Sequence, residues 1–229
     1  MRKIKVLLAD DHVVVRQGLR ALLVAEDDID IVGEADNGRQ AVQLVKKLEP
    51  DVAVLDVAMP SLNGLEATRQ ITASAPGTKV LILSSYSDDE YVHQLTNAGA
   101  VGYLGKQTAA NELLKAVREV NQGHAYYSPA IAKRLREQSR AAFAEGQSAR
   151  RPARSLTSRE SEVLQLIAEG QANKQIASEL NISIKTVEKH RQQVMNKVGI
   201  HDVAGLTRYA LARGIVESSP ALGATPSVP

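Results

Sequence analysis

Short apolar runs alternate with longer amphipathic stretches through the first half of the chain. IKVLLA (4–9), DIVGEA (30–35), DVAVLDV (51–57), VLILSS (80–85) and AVGYL (100–104) predict five strands. The first, third and fourth are nearly continuous in Val, Ile, Leu and Ala, the pattern of strands buried on both faces of a parallel sheet. Between them apolar residues return at helical spacing: Val15, Leu19, Leu22 and Leu23 share one face, and LLKAVREVNQG (113–123) repeats the pattern. Five strand–helix units within residues 1–124 predict an α/β doubly wound (βα)5 parallel sheet covered by helices. In that architecture ligands bind outside the carboxyl ends of the strands.

The second half has a different rhythm. Residues 125–153 form a linker with one short helix at SPAIAKRLREQ, where Ser128 stands as N-cap and Pro129 at the first helical position. AEGQSARRPARS then mixes Gly, Ser, Pro and Arg without periodicity, as a flexible connector does. Residues 154–217 predict a small all-α domain, beginning with the capping box Thr157 to Glu160 ahead of a helix. NKQIASEL gives a second short helix, NIS a turn and IKTVEKHRQQVMNKV a third, an order that suggests helix-turn-helix DNA binding. Residues 218–229 read as a disordered tail.

Composition narrows the chemistry. There is no run near the roughly 18 apolar residues needed to span a bilayer, and the N-terminus lacks a signal peptide, so a soluble, cytoplasmic protein without a membrane partner is expected. Zero Cys removes disulfides, thiol catalysis, iron–sulfur clusters and Cys-based zinc sites. Residues 1–124 hold 13 Lys and Arg against 17 Asp and Glu, a net of −4, while 125–229 hold 15 against 9, a net of +6. An acidic half and a basic half suggest two tasks, with a polyanion as partner of the second, although charge alone leaves an ordinary solvated surface about as good an explanation.

Candidate chemistry collects at strand ends. Asp10 and Asp11 follow the first strand, Asp56 ends the third, Ser84 ends the fourth and Lys106 follows the fifth. If the first and third strands are neighbours, three carboxylates converge, repel one another and invite a hard divalent cation; Mg²⁺ meets the oxygen-only requirement. Lys106 could reach a phosphoryl oxygen as a point charge and the Ser84 hydroxyl could donate to the same group. A carboxylate, metal, ammonium and hydroxyl together predict phosphoryl transfer with Asp56 as nucleophile. Taken singly, each has a plainer explanation: an acid pair after a strand is often a helix cap, and His12 beside it a solvated neighbour.

ADDH at 9–12, D-x-x-M-P at 56–60 with Gly64 following, the VLILSS end and GAVGYLGK at 99–106 resemble the receiver domain of bacterial two-component response regulators. That resemblance implies a flavodoxin-like fold in which Asp56 accepts phosphate from a sensor histidine kinase. It also implies Mg²⁺ bound by Asp11, Asp56 and the backbone carbonyl of Ala58, with Asp10 helping directly or through water. Ser84 and Tyr103 look like the switch pair, the hydroxyl moving toward the phosphate and the ring turning inward behind it. Two departures stand out: Gly105 and Gln107 flank Lys106, and Ala58 offers no acid or base to a hydrolytic water, which predicts a persistent aspartyl phosphate.

On the third helix of the basic half, Val187, Val194 and Val198 share an inner stripe, with Lys185, Lys189, Gln192 and Asn196 opposite and Glu188 and Gln193 beside them. Lys, Gln and Glu are the side chains that read guanine, adenine and cytosine edges in a major groove. Arg191, Lys197, Lys174 and the Thr186 hydroxyl are placed to contact phosphates. LTSRESEVLQLIAEGQANKQIASELNISIKTVEKHRQQVMNKVGI is similar, nearly end to end, to the LuxR-type helix-turn-helix of NarL/FixJ response regulators. The similarity makes 184–198 the recognition helix and gives VAGLTRYALARG a role in dimer contact on DNA.

The expectation is a phosphorylation-controlled transcription factor rather than an enzyme, a homodimer on phosphorylation or on double-stranded DNA. Two alternatives stand beside it: a phosphorylation-independent DNA-binding regulator with a degenerate receiver, and a Mg²⁺-dependent phosphatase with an Asp nucleophile. The phosphatase needs a second Asp two residues after the first, where Ala58 stands.

Overall fold

The structure is a computed structural model, described here for residues 2–84, 89–128, 131–133 and 156–216. The apolar runs form strands β1 (Ile4–Ala9), β2 (Ile29–Ala35), β3 (Val52–Asp56), β4 (Lys79–Ser84) and β5 (Gly102–Gly105). Helices α1 (Val13–Val24), α2 (Gly38–Leu48), α3 (Gly64–Ser74), α4 (Asp89–Asn97) and α5 (Ala109–Asn121) alternate with them. A sixth strand, β6 (Tyr126–Tyr127), pairs parallel to β5 and completes the order β2-β1-β3-β4-β5-β6. The expected five-strand sheet therefore gains one member inside the stretch assigned to the linker, because two residues are too few to carry a periodic signal. Ala132 N–H donates to the Ser128 carbonyl at 2.9 Å and residues 131–133 are helical; the remainder of that expected helix, the connector and the tail lie outside the described residues.

Strand alternation divides the core. Leu7, Ala9, Ala53, Leu55, Val80, Ile82 and Tyr103 face one side and pack with Ala41, Val45, Leu65, Ile71, Val92 and Leu95 of α2, α3 and α4. Val6, Leu8, Val52, Val54, Leu81, Leu83 and Leu104 face the other and pack with Leu19, Leu23, Leu113, Ala116, Val117 and Val120 of α1 and α5. Burial on both faces explains the unbroken apolar runs of β1, β3 and β4.

The second domain comprises α6 (Ser158–Ala168), α7 (Asn173–Glu179), α8 (Ile184–Val198) and α9 (Val203–Ala212). The Thr157 side chain accepts from Glu160 N–H, and Glu160 Oε2 accepts from Thr157 N–H at 2.7 Å, the predicted capping box. Ser183 caps α8, and Gly199, at φ 71, ends it in a left-handed conformation that suits glycine. Val163, Leu164, Leu166, Ile167, Ile176, Val187, Val194 and Leu206 form its core.

The domains touch through α6 and α7 on one side and α2, α3 and the loop between β3 and α3 on the other. Arg39 pairs with Glu162 at 3.1 Å and Glu179 at 3.0 Å, and Gln70 donates to Glu162 at 3.2 Å. Glu66 is buried beside this seam, and burial lifts its carboxyl above the usual range despite Arg69 alongside.

Candidate functional site

The β1–β3 register pairs Ala9 with Leu55, so the next residues, Asp10 and Asp56, stand side by side at the carboxyl edge. By alternation both belong to the α1/α5 side, and so does Lys106, two residues beyond Leu104. The three side chains meet: Lys106 Nζ lies 2.8 Å from Asp56 Oδ2 and 2.9 Å from Asp10 Oδ2. Asp10 and Asp56 are only 1 % and 2 % exposed, so their charges are held out of water. Lys106 itself is anchored by its N–H, which donates to the Ser84 carbonyl at 2.8 Å, even with Gly105 before it.

Electrostatics follow from that burial. Desolvation pushes the Asp56 carboxyl up to about 7, against the pull of Lys106 and of the Val57 N–H that donates to it at 2.7 Å. Lys106 is pushed down by its own burial, but the Asp56 and Asp10 carboxylates outweigh that and hold it above its ordinary value.

Asp10, Asp11, His12 and Asp56 each offer a ligand atom within 4.8 Å of the others, the one such group among the described residues. Three carboxylates fit a hard cation such as Mg²⁺. Asp11 is half-buried at the pocket mouth, with His12 Nδ1 2.9 Å from its Oδ1. The acid pair is not a side-chain cap of α1: His12 takes the N-cap position without a side-chain cap bond, and Asp10 Oδ1 accepts from His12 N–H at 2.8 Å. Ala58 is buried two residues past Asp56. Gly64 is required where α3 starts, because a Cβ there would sit 2.2 Å from the Asp56 carbonyl oxygen. Ser84 and Tyr103 are buried on the opposite, α2–α4 side of the sheet, with Tyr103 paired to Ile82, two residues before Ser84.

In the second domain the outer face of α8 is open. Lys185, Glu188, Lys189, Gln192 and Asn196 are exposed, as is Lys174 on α7. Thr186, Gln193 and Arg191 are half-buried, and the Thr186 hydroxyl lies 2.8 Å from that of Ser183. Lys197 turns the other way and donates to Glu160 at 2.6 Å, tying α8 to α6. Sequence reasoning overlooked Gln165, which is fully buried and bonded to the β3–α3 loop. Its signal was a polar residue inside the apolar run VLQLI.

An acidic pocket holding a lysine at the strand ends of a doubly wound sheet, joined to a helix-turn-helix, is the arrangement of a two-domain signal receiver and DNA reader. The family models agree: residues 6–118 match the response regulator receiver domain, and residues 154–210 match the bacterial regulatory proteins of the luxR family. The chain belongs to the NarL/FixJ family of transcriptional response regulators. It is 40 % identical to the transcriptional regulatory protein LiaR of Bacillus subtilis over 207 residues, covering 90 % of this chain and 96 % of LiaR. It is 39 % identical to the oxygen regulatory protein NreC of Staphylococcus carnosus, over 93 % of this chain and 99 % of NreC. Among solved structures, the RcsB response regulator of Salmonella typhimurium superposes with a TM-score of 0.63 at 27 % identity, over 93 % of this chain and 98 % of that one. Among the described residues no helix is long and apolar enough to cross a membrane.

Proposed function

We propose that Asp56 is the phosphoacceptor of a two-component phosphorelay and that its modification controls sequence-specific DNA binding by α8. The observation that carries this reading is the convergence of Asp10, Asp56 and Lys106 in one buried pocket at the strand ends. An Asp56 carboxylate oxygen attacks the phosphorus of a sensor kinase's phosphohistidine, the P–N bond breaks, and the imidazole leaves with a proton. Lys106 stays beside the new aspartyl phosphate and neutralises part of its charge. Asp11, Asp56 and the Ala58 carbonyl, with Asp10 directly or through water, are the groups to hold Mg²⁺. When bound, the ion screens the phosphoryl oxygens from the acids around them. Ser84 and Tyr103 are the pair through which the modified pocket reaches the far side of the receiver.

Lys185, Glu188, Lys189, Gln192 and Asn196 face the groove, and Lys174, Thr186 and Arg191 are the candidate phosphate contacts, whereas Lys197 is held away from DNA by Glu160. The open outer face of α8 supports activation by dimerisation or domain repositioning over simple unmasking of that helix. The structure of two RcsB dimers bound to two parallel DNAs supports a homodimer on double-stranded DNA for this chain too. A bacterial cytoplasmic location fits such partners.

The test is labelling with radioactive acetyl phosphate, followed by gel shifts and light scattering. Wild type should take up label only with Mg²⁺ and bind DNA more tightly afterwards; Asp56→Asn should do neither. Labelling that persists in Asp56→Asn would refute the assignment.

A further inference from the structure

Gln165 belongs to the DNA-binding domain, yet it is hydrogen-bonded to the receiver backbone just beyond Asp56. Its Nε2 donates to the Met59 carbonyl at 2.8 Å and its Oε1 accepts from the Asn63 N–H at 2.8 Å. Nε2 also reaches Glu169 Oε1 at 2.8 Å, and that same oxygen accepts from the Ser61 N–H at 3.0 Å. The side chain is 0 % exposed. A carboxamide in such a place is costly unless its donors and acceptor are paired, and here they are paired to one loop. An apolar side chain would serve plain packing between the domains; only an amide grips backbone at both ends.

The gripped loop is the one the receiver chemistry depends on. Met59 follows Ala58 directly, and Asn63 is the N-cap of α3, accepting from Glu66 N–H at 3.0 Å. Within the loop, Leu62 N–H donates to the Pro60 carbonyl and Gly64 N–H to the Val57 carbonyl, both at 2.7 Å, and Ser61 sits at φ 64, where a non-glycine residue needs support. Gln165 and Glu169 supply that support from the other domain.

We propose that Gln165 is a positioning residue for the metal and phosphoacceptor loop: the DNA-binding domain pre-organises the Ala58 to Asn63 backbone from across the domain seam. The proposal rests on the reading of Asp56 as phosphoacceptor and of the Ala58 carbonyl as a metal ligand. Holding the loop in place removes an ordering cost that a ligand in the pocket would otherwise bear. By linkage, a ligand in the pocket then strengthens the seam by the same factor. The DNA-binding domain thus acts on the pocket as well as being acted upon.

The experiment uses full-length protein and Mg²⁺ alone as probe, with calorimetric titration and amide hydrogen exchange. Gln165→Met keeps length and helical preference and deletes both grips. It should raise the Mg²⁺ dissociation constant about five- to tenfold and strip the Asn63 amide of its exchange protection in metal-free protein. Gln165→Leu, which also deletes both grips, should behave like Gln165→Met and serves if the latter fails to fold. Unchanged Mg²⁺ affinity in the folded variants would overturn the proposal while leaving the functional reading intact. Wild-type protein whose Mg²⁺ binding is indifferent to Asp56→Asn would overturn that reading, and the proposal with it.

Discussion

The Lys106 ammonium lies 2.8 Å from the Asp56 carboxylate, and the same nitrogen reaches Asp10 at 2.9 Å. Removing it leaves two buried acids facing each other with no counter-charge. Lys106→Met should therefore cost metal-free protein about 3–5 kcal/mol at pH 8, and much less near pH 5, where Asp56 takes up a proton instead. Urea unfolding in EDTA at the two pH values checks this; an equal loss at both would show that the lysine serves by packing alone.

Asp56 itself makes stability depend on pH in an unusual direction. Its carboxyl titrates at about 7 when folded and near 3.9 in an unfolded chain, so between those values the folded state holds the extra proton. Stability of metal-free protein should fall as pH rises from about 4 to about 7 and level off above. Asp56→Asn should flatten that slope, and saturating Mg²⁺ should weaken it by favouring the ionised form. Acetyl phosphate labelling at limiting Mg²⁺ should climb through the same range, because only the carboxylate is nucleophilic. Calorimetric melts across pH settle the matter, and a slope that survives in Asp56→Asn would assign it to another group.

Gly64→Ala sets two rules against each other. In a helix, alanine is favoured over glycine by about 1 kcal/mol. Here its Cβ would meet the Asp56 carbonyl oxygen at 2.2 Å and the Asp56 carbonyl carbon at 3.0 Å. The clash should win, with a net loss of about 1–3 kcal/mol and slower labelling, because relief must move the backbone of Asp56, the proposed phosphoacceptor. A thermal melt showing stabilisation would mean that α3 can shift freely.

Two lysines on α8 should behave differently from a third. Lys185→Ala and Lys189→Ala, both on the open face that meets the groove, should weaken DNA binding and relax base preference, whereas Lys174→Ala, at a candidate phosphate contact, should weaken binding to all sequences alike and reduce the salt slope by about 1. Lys197→Met should leave the salt slope near wild type and lower the melting temperature, since its amine is held by Glu160. Filter binding across a salt series, paired with melts, distinguishes the roles; a slope shallower by a full unit in Lys197→Met would return that residue to the DNA surface.

The meeting of Asp10, Asp56 and Lys106 was legible because all three stand at strand ends and the carboxyl edge of a doubly wound sheet gathers such groups, whereas the full strand order was not. The helix read over 184–198 keeps those ends, where Ser183 and Gly199 stand as its caps. The two-residue β6 was not legible, having no period to display. Nor was the seam between domains: Arg39, Gln165 and Glu169 are spaced far apart in sequence from their partners, and nothing local distinguishes a buried interdomain amide from a solvated one. The acid pair shows the limit from the other side, because only the register of β1 against β3 separates Asp10, sealed beside Lys106, from Asp11 at the mouth.

The seam between α6 and the β3–α3 loop joins two parts of one polypeptide. Its equilibrium is therefore indifferent to how many copies a cell contains, whereas pairing of two chains on DNA rises with copy number. If phosphorylation acts through this seam as proposed, each phosphoryl group meets the same intramolecular threshold at every expression level, and abundance sets how many chains pair on DNA.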